Sequence, residues 1–253
     1  MNDGKDWYAW HSPYTDTGSP LAQRLGLVQQ HIAEWLDGRP GEPLSVVSMC
    51  AGQGHDVLTV LSSRRDARRV SATLIEYDPR NVAVARARVV AEDLCKVTVM
   101  QADAGDLASY SNAVPADLVI MAGVLGNIGN ADARATIHAL PRLCAADATV
   151  IWTRTRRAPD LTPTIRTWFA DAGFTEKGLH RTGRRVVLRG SSPLHRRTAA
   201  PGRNRQNLPF PPMTGGPWLE TSGDRRSRAM PSRQISRSRR GREPGRCRRR
   251  PSR

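Results

Sequence analysis

The sequence predicts an α/β protein with a doubly wound, mostly parallel sheet. An N-terminal helical segment precedes the sheet and a basic, disordered C-terminal tail follows it. Three observations carry this prediction. Short continuous apolar runs alternate with segments of helical period between residues 44 and 176, and strands buried on both faces of a parallel sheet read as such runs. The stretch LSVVSMCAGQGHDVLTVL (44–61) joins a strand to a helix through a glycine-punctuated turn. The next strand, SATLIEYD, ends on Glu76, 22 residues past Gly54. A glycine turn and a strand-end acid on one edge of an open sheet are suited to gripping a nucleoside ribose.

The elements follow in order. Residues 1–18 are aromatic and polar, with Trp7, Tyr8, Trp10, His11 and Tyr14 close together. Ser19 and Pro20 supply a helix N-cap and a first-turn proline. Leu21, Leu25, Val28, Ile32 and Leu36 then recur at spacings of one helix face until Gly38. A first strand is expected at 44–49, a helix at 55–64 and a second strand at 71–76. Asp78-Pro79 caps and starts a helix running to about Asp93. KVTVMQ (96–101) and ADLVIMAG (116–123) are the third and fourth strands, and Asn130 is expected to cap a helix over 131–144. ATVIWT (148–153) is the fifth strand. Thr162-Pro163 opens a helix carrying Ile165, Trp168 and Phe169, closed by Gly173. Right-handed crossovers would place these helices on both faces of the sheet.

The net charge of +16 is unevenly spread. Residues 1–176 hold 17 Lys+Arg against 20 Asp+Glu, whereas residues 177–253 hold 22 against 3. The front of the chain therefore has the charge of an ordinary globular domain, and the basic excess belongs to the tail. The four cysteines, Cys50, Cys95, Cys144 and Cys247, lack the paired spacing of a zinc site. Three of them fall in apolar-rich stretches, which predicts buried free thiols in a reducing compartment. MNDGKDWYAWHS has neither the basic nor the apolar region of a signal peptide. The longest apolar run, at 118–126, falls far short of the ~20 residues of a membrane span. A cytoplasmic protein without a membrane partner is expected.

Chemistry concentrates at the carboxyl ends of the predicted strands. Gly52 and Gly54 let backbone approach a ligand closely. The third glycine of a dinucleotide GxGxxG is absent, Val57 standing in its place, and no GK[ST] phosphate loop is present. Glu76 can accept from ribose hydroxyls, and Asp103, after the third strand, from the amino group of an adenine. Asp106 is the expected helix cap. His55, directly after the glycine turn, is expected to be exposed.

The order LSVVSMCAGQG, LIEYD, VMQADAGDL, ADLVIMAGVLGNI, ATVIWTRTR and AGF, over roughly residues 44–176, resembles the class I S-adenosylmethionine (SAM)-dependent methyltransferases. It is most similar to bacterial members of unassigned substrate, with an aromatic N-terminal segment, GVxGNI after strand four and VIWTR in strand five. The resemblance implies a Rossmann-like SAM-methyltransferase fold, SAM as cofactor and a small-molecule methyl acceptor. It also implies cofactor-binding roles for Cys50, Ala51, Gly52, Gln53 and Gly54 of the glycine loop, for Glu76 and Tyr77 at the ribose, and for Asp103 and Ala104 at the adenine. Gly123, at the end of strand four, joins this set. The methionyl carboxylate is expected at the helix N-terminus near Gly54. The chain departs from the family at two positions: Ser48 stands where an acid is common and Cys50 where the first glycine is usual. Asn127 is the candidate catalytic positioning residue, and Trp10, His11, Tyr14 and Arg154 are candidates for the substrate pocket. Neither an NPPY-type tetrad nor a Pro-Cys nucleophile occurs after strand four.

Three regions are thus expected: residues 1–43 as an aromatic lid and helix, 44–190 as the cofactor-binding domain, and 191–253 as an Arg/Ser/Pro-rich tail too poor in apolar residues to fold. RRVVLRG (184–190) is a candidate edge strand. The tail has two readings. Its charge suits non-specific polyanion binding, and its 36 Arg against 3 Lys across the chain suits a shifted reading frame in GC-rich DNA. Two other functions stay open on sequence alone. One is an NAD-dependent oxidoreductase, the other a nucleic-acid-binding protein acting through the tail.

Overall fold

The computed structural model describes residues 6–156, 158–180 and 185–190. All belong to the first of two units into which the chain divides, Met1–Met213 and Thr214–Arg253. A 3-10 turn (Ala9–Thr15) leads into α1 (Pro20–Asp37). The Ser19 hydroxyl caps α1 by accepting from the Ala22 N–H at 3.0 Å, and Gly38 follows its last residue. Strands β1 (Leu44–Met49), β2 (Val70–Glu76), β3 (Val97–Gln101), β4 (Ala116–Met121), β5 (Cys144–Trp152), β6 (Phe174–His180) and β7 (Arg185–Gly190) form one sheet in the order β3-β2-β1-β4-β5-β7-β6. The first five are parallel, and β7 pairs antiparallel with both β5 and β6.

Alternation along the central strands builds two cores from single apolar runs. Val47, Val119 and Val150 point to one face, where α4 (Asn130–Ala139) and α5 (Thr162–Asp171) contribute Ile137, Ile165 and Phe169. Their neighbours Val46, Leu118 and Ile151 point to the other. There α1, α2 (Val57–Ser62) and α3 (Pro79–Ala91) contribute Ile32, Leu58 and Val82. The central strands β1 and β4, covered on both faces, have no exposed position, which is why they read as unbroken apolar runs. A polar side-chain pair is buried among them: the Trp35 indole N–H donates to the Thr149 hydroxyl at 3.0 Å.

Several expectations need correction. The helix expected over 131–144 ends at Ala139 and passes into a 3-10 turn, Leu140–Arg142. Pro141 has no N–H to continue the ladder, and its ring crowds the carbonyl four residues back. Asn130 is the first residue of α4 and Gly129 its cap. β5 begins at Cys144 rather than 148, pairing through Ala116↔Cys144 before a register shift. Residues 185–190 form an interior strand, and β6 takes the edge. Cys144 is buried and Cys50 half-buried, but Cys95 is exposed. The tail 191–253, with Cys247, lies outside the described residues. No described helix is long and apolar enough to cross a membrane.

Candidate functional site at the carboxyl edge of the sheet

The parallel order places the ends of β1 to β4 side by side, so the glycine loop, Glu76, Asp103 and Gly123 share one edge. The loop leaves β1 through three residues of positive φ: Cys50 (49°), Gly52 (57°) and Gly54 (69°). At Gly54 a side chain would meet Leu58 and Leu74, both 2.8 Å away, so glycine there lets α2 pack on β2. At Gly52 an added Cβ would lie 2.1 Å from His11 Nε2, so the bare α-carbon is where the N-terminal turn rests on the loop.

Glu76 is buried, and both its oxygens face main-chain donors. Oε2 accepts from the Gly52 N–H at 2.7 Å and Oε1 from the Asp78 N–H at 2.8 Å. Each carboxylate oxygen has a second lone pair, so Glu76 locks the loop to β2 and keeps acceptor capacity toward the edge. Tyr77, half-buried, follows it. Asp103 pins its own turn by accepting from the Gly105 N–H at 2.7 Å. Ala104, buried beside it, accepts the Tyr110 hydroxyl at 2.6 Å through its carbonyl. Asp106 caps the following 3-10 turn through the Ala108 N–H, as its spacing predicts. Burial, with Glu76 and Asp103 nearby, pushes the Cys50 thiol up to about 12. Cys50 is therefore a small packing residue and not a thiolate.

The N-terminal turn crosses this edge. His11 Nδ1 donates to the Trp7 carbonyl at 2.7 Å, an oxygen that can only accept, which leaves Nε2 as an acceptor. Burial lowers the His11 pKa and keeps the ring neutral. His11, Tyr14 and Trp10 form an aromatic cluster, with ring centroids 5.3 to 6.0 Å apart. The start of the segment is tied to α3, where Arg80 bonds Asp6 at 2.7 Å and lies over the Tyr8 ring. With the turn seated, the cleft beneath it holds about 40 Å³, room for only a few waters.

Asn127 and Arg154 serve the loop after β4. Asn127 donates to the Gly123 carbonyl and Arg154 to the Leu125 carbonyl, while the Gly123 N–H donates to the Thr153 hydroxyl at 2.7 Å. Gly123 (φ 82°) turns the chain there, 3.5 Å from Arg24 measured at its would-be Cβ. The edge thus gathers Trp10, His11 and Tyr14 over the glycine loop. Asn127 and Arg154 lie at the neighbouring β4 loop.

Two members, Arg24 and Asp56, escaped sequence reasoning, and His55 was misplaced by it. Arg24, only 7% exposed, lies under Trp10 and donates to the Tyr14 hydroxyl at 3.2 Å. Its signal was the spacing 24, 28, 32, 36, which sets a charge on the buried stripe of α1. Asp56, 6% exposed, caps α2 through the Val57 N–H at 2.8 Å, and burial raises its pKa. Gln53 meets Asn81 and His55, at 3.2 and 3.1 Å. His55 is not the exposed histidine expected. It packs on Tyr14 (5.2 Å) and nears Arg88, and burial first, then Arg88 and His11, push its pKa down to about 4.

Solved structures share this architecture. CurJ carbon methyltransferase matches with a TM-score of 0.56 at 13% identity, covering 73% of this chain and 58% of that one. An O-methyltransferase family protein from Burkholderia thailandensis matches at 0.51 and 18%, covering 73% and 61%. Magnesium protoporphyrin IX methyltransferase from Synechocystis PCC 6803, solved with bound SAH, matches at 0.52 and 17%, covering 72% and 92%. The chain spans about three fifths of the length of the first two. At such identities the likeness is one of fold, the Rossmann-like fold of class I methyltransferases. No protein of curated function matches in sequence. Residues 23–183 match the family described as "Putative methyltransferase", more than half of the chain, and the protein belongs to that methyltransferase family.

Proposed function

We propose that the protein transfers a methyl group from S-adenosylmethionine to a small-molecule acceptor. The observation that carries the cofactor is Glu76, buried at the end of β2, bonded to the glycine loop and retaining acceptor capacity. The donor set fits SAM in other respects. A sulfonium cofactor has no phosphate, in agreement with a loop lacking both a third glycine and a lysine. The cleft carries a buried guanidinium and a buried carboxylate, suited to a zwitterionic amino-acid group.

The glycine loop would hold the methionyl portion, Glu76 and Tyr77 the ribose, and Asp103 and Ala104 the adenine, with Gly123 at the methyl-bearing end. The bound cofactor supplies an electrophilic methyl group on a sulfonium. The residues of the chain orient the acceptor and exclude water. Trp10, His11, Tyr14 and Arg154 are proposed to line the acceptor side, and His11 brings a neutral proton-accepting nitrogen. Asn127 positions the β4 loop through Gly123. The cleft under Trp10, His11 and Tyr14, where the methionyl portion would lie, is tight with the turn in place, so residues 6–18 are proposed to act as a lid that shifts to admit it. The near-neutral charge of residues 1–176 favours a small acceptor over a polyanion. The NAD-dependent and tail-driven readings have no such support, and the tail lies outside the described residues.

The test is thermal unfolding of the full chain with SAM, and with NAD as control. A rise in Tm specific to SAM is expected, about 2.7 kcal/mol of linkage at a hundredfold excess over Kd. A cooperative melt that SAM leaves unmoved would remove the cofactor assignment.

A further inference from the structure

The sequence-based place for the methionyl carboxylate, the N-terminus of α2, is already taken. Asp56 caps that end with its own carboxylate, which accepts from the Val57 N–H at 2.8 Å. A second carboxylate there would meet a negative neighbour. The strand-one acid that commonly takes the methionyl amine is also absent, since Ser48 stands in its place. Both ends of an amino-acid group therefore need other partners.

Arg24 has the properties of one of them. A guanidinium carries five N–H donors, and at 7% exposure its desolvation costs several kcal/mol unless it is paired. Its described partners are one hydroxyl, Tyr14 at 3.2 Å, and the face of Trp10, 5.3 Å away. Among the described residues no carboxylate lies within salt-bridge distance of it. Arg24 lines the same cleft as Asp56, Ser48 and His11. Asp56 is the complementary group: its carboxylate accepts from the main-chain amides of Val57 and of Asp56 itself, and among the described residues no side-chain cation lies within salt-bridge distance of it. Two buried, opposite charges thus line one cleft without forming an ion pair, which suits a ligand carrying both charges.

We infer that Arg24 and Asp56 form an α-amino-acid clamp, Arg24 taking the methionyl carboxylate of the cofactor and Asp56 its ammonium. The assignment rests on the SAM reading and names, for that cofactor, the residues that replace the missing acid. Tyr14 holds the guanidinium and Trp10 covers it, so closing the lid and grasping the amino acid are one event.

The experiment is calorimetric titration of the full chain with three ligands. These are S-adenosylhomocysteine, its decarboxylated analogue, and methylthioadenosine, which lacks the whole amino-acid group. Charge-assisted hydrogen bonds are strong when buried. Wild-type protein is expected to favour S-adenosylhomocysteine about a hundredfold over methylthioadenosine and at least tenfold over the decarboxylated analogue. Arg24→Met should erase the second preference while leaving methylthioadenosine binding unchanged, which also reports that the variant is folded. Asp56→Asn should reduce the first preference and keep the second. Should Arg24→Met fail to fold, the wild-type ratios alone decide: equal affinity for all three ligands overturns the clamp and leaves the cofactor reading intact. A carboxylate preference that persists in folded Arg24→Met overturns the role of Arg24. Binding of none of the three overturns the cofactor reading and the clamp together.

Discussion

The seating of His11 on Gly52 is a contact whose energy can be isolated. Gly52→Ala has two costs. The first is local: a Cβ at φ 57° pays a left-handed penalty of about 1 kcal/mol. The second is a collision, because the new Cβ would lie 2.1 Å from His11 Nε2 and 2.7 Å from Cε1, so the ring must leave. Its departure breaks the 2.7 Å bond to the Trp7 carbonyl, worth about 1 kcal/mol. It also breaks the ring contacts to Trp10 and Tyr14, worth about 0.5–1 kcal/mol together. The wild-type background should therefore lose about 2.5–3 kcal/mol, and a His11→Ala background only about 1 kcal/mol, since the collision partner is gone. The coupling energy, about 1.5–2 kcal/mol, is read from a double-mutant cycle in urea. For a domain of this size the single substitution lowers Tm by roughly 5–10 °C. Additive behaviour, with coupling below about 0.5 kcal/mol, would refute the seating of the turn on the loop and the lid built on it.

Two further outcomes follow from buried titratable groups. His55 has its pKa lowered from 6.5 to about 4, so the unfolded chain binds more protons between those values. Stability is then full above about pH 6.5 and declines as pH falls toward 4. For a half-exposed ring the discounted contribution is about 1–2 kcal/mol. Urea unfolding of wild type and His55→Gln at pH 7 and pH 4.5 measures it, and equal pH slopes would contradict the burial of His55. The Cys50 thiol, at about 12, should alkylate in native protein at pH 8 more than about a thousandfold slower than an ordinary thiol. Exposed Cys95 should label promptly, as peptide mapping after brief iodoacetamide treatment would report.

Most of the sheet was legible because burial on both faces writes each parallel strand as an apolar run. Val46-Val47 and Leu118-Val119 each serve both cores, and no alternating pattern could have done so. The Ser19 and Asp78 caps were legible because the capping side chain sits next to the helix it starts. Strand order was not, since nothing local to residues 185–190 places them inside the sheet. The Pro141 break was present in the sequence and overlooked. Gly52, Glu76 and Asp103 could be placed because chain order assigns each to a strand end. Arg24, Asp56 and His55 could not, because their significance comes from burial by segments distant in the chain. Arg24 alone left a trace, as the charge on a stripe otherwise made of Val28, Ile32 and Leu36.

The interior position of β7 has a consequence for how the chain reaches its fold. β6 leaves the ribosome before β7, yet β6 joins the sheet only through β7. Until Gly190 has been synthesised, β5 presents the bare backbone of Thr149–Trp152. Its side chains are among the most apolar in the protein, and an open edge of that kind invites pairing with another molecule. A nascent chain could also lay β6 directly against β5, a mispairing that must dissolve before the hairpin can dock. A change that removes residues 185–190 would therefore leave the Thr149–Trp152 edge of β5 unpaired and lower solubility during synthesis.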